Sequence, residues 1–491
     1  MKLLSKVEKS RDFWFLLIAS FVFFLLRLPS LFEPYWYGDE GIYEVLGSAI
    51  RQGRILYEGI WDNKPPLLYI VYAVFNGDQF YARLLSLIFG ILATITFFFL
   101  SRKLFGQRKH EQKIAMWTTG IFAVIFALPL IEGNIANSEN FMLFPIILSA
   151  LLLFKEKINF KIYFFAGLLL GIAFLFKIVA IFDFAAFATF IFIATTKFKK
   201  RKLDLLKAAR DTFTHLLPFA IGFAAPIIFT ALFFLGSPFK YFIQATFVQN
   251  VGYVGYGNKL IIPQGFLVLK LVLLGAFCLY LLFRKDKFSK AVLFILVWFA
   301  FSLFNAFFAQ RPYTHYLLVL LPSFSLLIGL ISLDKKYKLH LSVLLTIVLF
   351  LVFSKFNLYG KTPFYYQNFI SFILGGKTVA EYRGFFDKKT PVDYQIAEFI
   401  KAKTSNEDKI FIWGNNSQVY KLTNKLPPGR YAVTYHITGY KDGIENTQSA
   451  INKTAPKFII VMPNVSSVPF SLSSYGNATR IENVVIYERV F

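Results

Sequence analysis

The residues best suited to chemistry lie in two short runs, Tyr35-Trp36-Tyr37-Gly38-Asp39-Glu40-Gly41-Ile42-Tyr43 and, further on, Trp61-Asp62-Asn63-Lys64-Pro65-Pro66. They offer two adjacent carboxylates, a lysine fixed ahead of two prolines, and aromatic rings that include Trp36 and Tyr43. Both runs follow the first long apolar stretch, where the chain should leave a bilayer. An ionisable group at that depth is costly unless it is hydrated or paired. An acid, a cation and aromatic side chains at a lipid–water boundary suit a reaction on a charged lipid headgroup.

What must position such residues is a membrane domain. Of the 491 residues, 56% are hydrophobic and 62 are Phe, whereas an average soluble chain is nearer ~45–50% apolar. Repeated apolar runs of spanning length make the chain a multi-spanning membrane protein. The net charge of +25 belongs with topology, because many Lys and Arg residues sit in short loops between apolar runs. No nucleic-acid partner is expected. The single cysteine, Cys278, excludes an intramolecular disulfide. Lys2, Lys6, Lys9 and Arg11 look like the start of a signal peptide. The apolar run nevertheless continues to Phe32 without a small-residue cleavage site, so an uncleaved first span is expected.

Spans are expected at 13–32, 80–100, 114–131, 141–154, 160–176, 178–196, 213–235, 263–283, 291–308, 315–333 and 340–358, about eleven in all. The apolar piece at 67–75 is too short to cross, since a span needs ~20 residues. Pro65 and Pro66 can open a helix there but cannot lie inside one. It reads as an interfacial helix with Tyr69 and Tyr72 at headgroup depth. Alternate loops carry the cations: Arg102, Lys103, Arg108, Lys109 and Lys113, then Lys155, Lys157 and Lys161, then Lys197 to Lys202, Arg284 to Lys290, and Lys335 to Lys338. The positive-inside rule places the N-terminus in the cytoplasm and the Asp39 loop outside a cell membrane.

Residues 359–491 differ in kind, with charges, prolines and turn residues. Residues 392–403 read as an amphipathic helix through Ile396, Phe399 and Ile400. Residues 409–414, 457–462 and 484–487 read as strands. A segment of about 130 residues can form its own core. The expected architecture is thus an all-α polytopic membrane domain over 1–358, with interfacial helices in its first outer loop, and a small extracytoplasmic α/β domain over 359–491. Asn415, Asn452, Asn464 and Asn477 head N-x-S/T sequons, a common pattern of little weight alone.

Few polar residues lie at the outer ends of the spans: Arg27, Asp39, Glu40, Lys64, Arg83, Glu132, Asn134, Asn137, Glu139, Asn140, Lys177, Asp183, Gln249, Asn250, Arg311 and His315. Most of them, taken singly, read as solvated loop groups or, for Arg27 and Lys177, as snorkelling side chains. Asp39 and Lys64 are the exceptions. Tyr313 and Tyr316 fit an aromatic belt without any chemistry. The sequence has no spaced His and Cys cluster for zinc and no Gly-rich phosphate loop. A divalent metal on Asp39, Glu40 or Glu139 stays open, with no spacing behind it and no cofactor certain.

Asp39-Glu40, with Tyr43 after it and Lys64-Pro65-Pro66 closing the loop, resembles glycosyltransferase family 39, the dolichyl-phosphate-mannose protein mannosyltransferase-like enzymes. It is similar also to their bacterial relative that puts aminoarabinose on lipid A. Further likeness lies in Tyr81-Ala82-Arg83-Leu84-Leu85-Ser86, Asn137-Ser138-Glu139-Asn140, Gly167-Leu168-Leu169-Leu170-Gly171 followed by Lys177, and Tyr313-Thr314-His315-Tyr316 before Pro322. The resemblance covers residues 13–335. It implies a GT-C fold and sugar transfer from a polyprenyl-phosphate donor to a lipid, glycan or protein acceptor at the outer face.

By the same resemblance, Asp39 is the base or orients the acceptor, Glu40 supports it, and Glu139 positions acceptor or sugar. Lys64 binds the donor phosphate with Arg83 or Arg311 as further cations. Trp36, Tyr43, Asn137, Tyr313, His315 and Tyr316 are the expected substrate contacts. The leaving group is already a stable anion, so a base and cations suffice and direct displacement predicts inversion. Two other classes compete: a transporter or flippase for lipid-linked sugars, and a polymerase or ligase that uses lipid diphosphate donors. Polar groups gathered at one face favour the enzyme over alternating access.

Overall fold

A long apolar segment in a bilayer must satisfy every backbone N–H and C=O internally, and helix does so. The computed structural model describes residues 11–106, 109–196, 198–199, 202–203, 205–250, 266–333, 338–463 and 465–490. Lys2, Lys6, Lys9, Arg108, Lys197, Lys200, Arg201, Lys335, Lys336, Asn464, most of the loop before residue 266 and the first residues of the span expected at 263 lie outside that set. Helices run Arg11–Arg27, Gln79–Phe105, Lys109–Ala127, Ser138–Leu152, Phe160–Phe176, Ile181–Thr195, Leu205–Phe233, Leu267–Arg284, Lys290–Ala306, Leu321–Leu333 and Lys338–Lys355. Among the described residues six stretches are long and apolar enough to cross a membrane by length and composition. Ser138–Leu152, Phe160–Phe176, Lys290–Ala306 and Leu321–Leu333 are shorter apolar helices.

By internal contacts the chain forms two compact units. The first comprises Met1–Leu28, Leu85–Phe233 and Asn250–Thr362. Here helices Phe160–Phe176 and Leu205–Phe233 meet backbone to backbone. A Cβ on Gly167 would strike the Phe219 carbonyl, and one on Gly222 the Phe164 carbonyl, so glycine sets the closeness of approach. Arg27, expected to snorkel, is instead wholly buried, with its guanidinium donating to Ser86 Oγ (3.2 Å) and the Asn134 carbonyl (3.3 Å). A charged head enclosed by protein acceptors needs no route to water.

The second unit comprises Pro29–Leu84, Phe234–Gln249 and Pro363–Phe491. Helix Gly38–Arg51 carries Asp39 and Glu40 in its first turn and Arg51 in its last, the polarity its dipole favours. Its Ile42, Tyr43, Val45, Leu46 and Ala49 are buried. Helix Pro66–Val74, of 9 residues, opens on the prolines as expected. Gly47 seats against the Tyr72 backbone, 2.6 Å from where a Cβ would stand. Tyr69 and Tyr72, expected among headgroups, are fully buried between these elements.

The C-terminal part has four strands, β1 (Ile410–Trp413), β2 (Phe458–Val461), β3 (Tyr475–Ile481) and β4 (Val484–Arg489), ordered β1-β2-β4-β3. β1 and β2 run parallel and the other pairs antiparallel. The expected helix runs Thr390–Lys403 and buries Ile396 and Ile400. In its first turn the buried Asp393 carboxylate accepts from Asn416 Nδ2 (2.9 and 3.0 Å) and Gln418 Nε2 (3.0 Å).

Burial pushes the Asp393 carboxyl up to about 7 against an ordinary 3.8, although both amides oppose the shift. The folded state therefore holds this proton more tightly than the unfolded chain, and the contribution to stability falls as pH rises from about 4 to about 7. Asp393→Asn is expected to flatten the pH dependence of stability over that window, by up to ~1.4 kcal/mol per pH unit. Thermal melts of the detergent-solubilised protein read this directly, and parallel pH slopes in both proteins would contradict it.

Candidate functional site

In the second unit, the loop ahead of Pro65 brings Lys64 back to the start of helix Gly38–Arg51. Its Nζ lies 3.6 Å from Asp39 Oδ2 and 3.7 Å from Asp62 Oδ2, and 4.7 Å from the Tyr43 ring centre. The Asp39 side chain is 42% exposed and that of Lys64 18%. Such a half-open pair adds little to stability, so stability alone does not account for it. Tyr43, buried, donates its hydroxyl to Asp39 Oδ2 at 3.2 Å. Burial, followed by Asp39 and Asp62, raises that phenol well above its usual range, so it stays a donor.

Glu40 faces inward. Its carboxylate takes Arg83 Nε (3.0 Å to Oε1) and the Tyr72 hydroxyl (3.2 Å). Arg83 also reaches Glu33 Oε2 (2.9 Å) and the Ser30 carbonyl (2.7 Å) and is 0% exposed. The role of second phosphate cation therefore does not suit Arg83, whose donors are committed to holding helix ends together. Trp36 gives its indole N–H to Glu33 Oε2 at 2.7 Å and packs on Phe386, beside the buried Tyr365, Phe369 and Tyr382. One turn beyond Glu40, buried Glu44 has neither oxygen hydrogen-bonded, and burial, then Glu40, raises its pKa well above the ordinary carboxyl value.

Two residues of this group carry no role in the sequence reading. Asp62 is 2% exposed, accepts from the Tyr69 hydroxyl at 2.7 Å, and lies 3.5 Å from His436 Nε2. Burial would raise its pKa, but Lys64, His436, Tyr69 and the Asn63 amide together hold it below the ordinary value. Asp62 was visible beside Lys64 in sequence. His436 had no local signal.

The first unit holds a separate polar group. Glu139, buried in the first turn of helix Ser138–Leu152, pairs with Lys177, whose Nζ lies 4.6 Å above the Tyr316 ring. His315 sits 2.9 Å from Glu132 Oε2 through Nδ1 and 3.9 Å from Glu139 through Nε2. Thr314 Oγ1 donates to Glu132 Oε1 at 2.5 Å. Lys177, read as a snorkelling cation, is thus a partner of Glu139. Tyr313 is exposed and stacks on His315, Asn137 is buried at the helix N-cap, and Arg311 is half-buried in the preceding loop.

Residues 64–220 match the family model described as dolichyl-phosphate-mannose-protein mannosyltransferase. The fold is similar to that of ArnT from Cupriavidus metallidurans bound to undecaprenyl phosphate, with a TM-score of 0.51 and 15% identity over 97% of this chain and 98% of that one. The fold is GT-C-like. A further likeness is to the archaeal oligosaccharyltransferase AglB from Archaeoglobus fulgidus in complex with an inhibitory peptide and a dolichol-phosphate, with a TM-score of 0.48 and 14% identity over 92% of this chain and 69% of that one. No curated protein matches.

The family match begins at Lys64 and does not reach Asp39. Among the described residues no group of three or more His, Cys, Asp and Glu side chains could hold a metal ion. Glu40 and Glu139 face Arg83 and Lys177 instead. The divalent metal left open by the sequence finds no ligand set among the described residues.

Proposed function

We propose that this protein is a glycosyltransferase that moves a sugar from a polyprenyl-phosphate donor to a hydroxyl acceptor at the extracytoplasmic face of a cell membrane, with the N-terminus in the cytoplasm. The observation that carries the reading is the half-open Asp39–Lys64 pair. A donor phosphodiester competes with Asp39 for the Lys64 ammonium. Once it takes Lys64, Asp39 loses its cation and gains an anionic neighbour, and both changes make it a better proton acceptor. The acceptor oxygen then attacks the anomeric carbon and its proton passes to Asp39. The bond from that carbon to the phosphate oxygen breaks, and the polyprenyl phosphate leaves with its added charge against Lys64. Attack opposite the leaving group inverts the anomeric centre.

Tyr43 serves by orienting the Asp39 carboxylate through its hydroxyl. The acceptor class, lipid, glycan or protein, is set by contacts beyond this pair. Transfer from a panel of radiolabelled polyprenyl-phosphate sugars in proteoliposomes tests the reading, and absence of transfer from every one would overturn it.

Lys64→Ala is expected to weaken binding of undecaprenyl phosphate roughly 10–100-fold, since a hydrogen bond to a charged group is worth about 1.5–3 kcal/mol. Titration of the purified protein with that lipid measures it. An unchanged affinity would remove Lys64 from the phosphate.

A further inference from the structure

We infer that His436, carried by the C-terminal segment, is a positioning residue of the donor-phosphate site: it holds Asp62, and through Asp62 it fixes Lys64. The inference rests on the reading of Lys64 given above.

The two oxygens of Asp62 have separate partners. Oδ2 accepts from Tyr69 and faces Lys64 at 3.7 Å, while Oδ1 faces His436 Nε2 at 3.5 Å. His436 lies in the short helix Thr434–Gly439 and is 3% exposed. Burial lowers its pKa to about 4, with Asp62 and Asp39 opposing the shift and Lys64 adding to it, so the ring is neutral at neutral pH. A neutral imidazole meets a carboxylate favourably only by donating, which puts the proton on Nε2. Nδ1 is then a buried acceptor, and it has no hydrogen-bond partner among the described residues. An orphaned buried acceptor costs stability. The ring's placement therefore does not satisfy the ring; what it supplies, at 3.5 Å and so as a dipole beyond ordinary hydrogen-bond length, is an N–H facing Asp62.

A second grip on the same loop comes from the same segment. The Trp61 backbone N–H donates to the Arg430 carbonyl at 2.9 Å, and the Trp61 ring packs edge-on against Tyr440 at 5.4 Å. Tyr440 lies in turn 5.6 Å from the His436 ring. Residues 430–440 thus hold the loop at Trp61 by backbone and aromatic contact, and at Asp62 by His436. A lysine loses considerable rotamer entropy when its ammonium is fixed. An anchored Asp62 lowers that cost before the donor arrives, and this is preorganisation in the ordinary sense.

The test compares His436→Ala, His436→Asn and His436→Gln in the full chain, reconstituted in proteoliposomes. KM and kcat are measured for whichever polyprenyl-phosphate sugar the wild type uses, and undecaprenyl phosphate binding is measured separately. Gln can place an amide N–H where imidazole Nε2 stands, whereas Asn places one nearer Nδ1. Ala and Asn are expected to raise donor KM about tenfold with kcat within about twofold, and Gln to restore the wild-type KM. A merely structural role would lower the active fraction, and so apparent kcat, with KM unmoved; that result, or equal KM in all four proteins, overturns the inference. If Ala does not fold, the contrast between Asn and Gln decides. Should the wild type transfer no sugar at all, the glycosyltransfer reading of the site fails, while the lipid-binding series still decides the role of His436.

Discussion

Asp39→Asn is expected to lower sugar transfer by roughly 10²–10⁴-fold, the range removed with a general base, while undecaprenyl phosphate binding is kept or tightened. The substitution preserves shape. Asn can still accept the Tyr43 hydroxyl that now reaches Oδ2 at 3.2 Å, so the local packing has no reason to change. What disappears is the negative charge 3.6 Å from the Lys64 ammonium and the lone pair able to take the acceptor proton. Loss of the charge releases Lys64 from a competitor, which helps the phosphate. Loss of the lone pair stops the proton. The two consequences fall on different observables, donor affinity and turnover, and that separation distinguishes a base from a residue that only shapes the site. Equal turnover in the two proteins would take Asp39 out of the mechanism. A parallel fall in affinity and turnover would place it in donor binding instead.

The membrane part was legible because its signal is local. A run such as 13–32 is helical and buried in lipid wherever it lies, and the break at Pro65-Pro66 is a property of proline itself. Strands β1, β2 and β4 were legible for the same reason, being short apolar runs between turn residues. β3 was not. None of its residues Tyr475-Gly476-Asn477-Ala478-Thr479-Arg480-Ile481 is buried and they lack an apolar alternation, so only pairing with β4 makes them a strand.

The candidate site divides the same way. Asp39 and Lys64 stood out as charges beside a membrane. Their supports did not, because Glu33, Asp62, Arg83 and His436 acquire meaning only from partners far along the chain. Tyr69 and Tyr72 show the limit most clearly. The aromatic-belt rule sends a tyrosine near a membrane surface to the headgroups, but a hydroxyl that can reach a buried carboxylate is satisfied inside, and here each one does.

Arg83→Met is expected to destabilise the folded chain by about 3–5 kcal/mol, the cost of stripping one partner from a buried ion group. The guanidinium is enclosed with Glu33 (5% exposed) and Glu40 (1%), and it also takes the Ser30 carbonyl. Its removal leaves two carboxylates without their cation, and neither can turn to water. Glu44, buried and unbonded a turn away, offers no compensation, because a further carboxyl cannot replace a lost cation. Part of the loss should therefore return when the stranded charge is also removed. Arg83→Met with Glu40→Gln is expected to be more stable than Arg83→Met alone, a coupling that thermal unfolding of the four proteins in a double-mutant cycle measures. Additive effects would mean that Arg83 contributes by packing its stem and not by charge. The consequence for chemistry follows from position. Glu40 adjoins Asp39 on the first turn of helix Gly38–Arg51, so the buried Arg83–Glu40 pair fixes the turn on which the half-open Asp39–Lys64 pair works. One carboxylate of the doublet anchors the helix, which leaves its neighbour free to react.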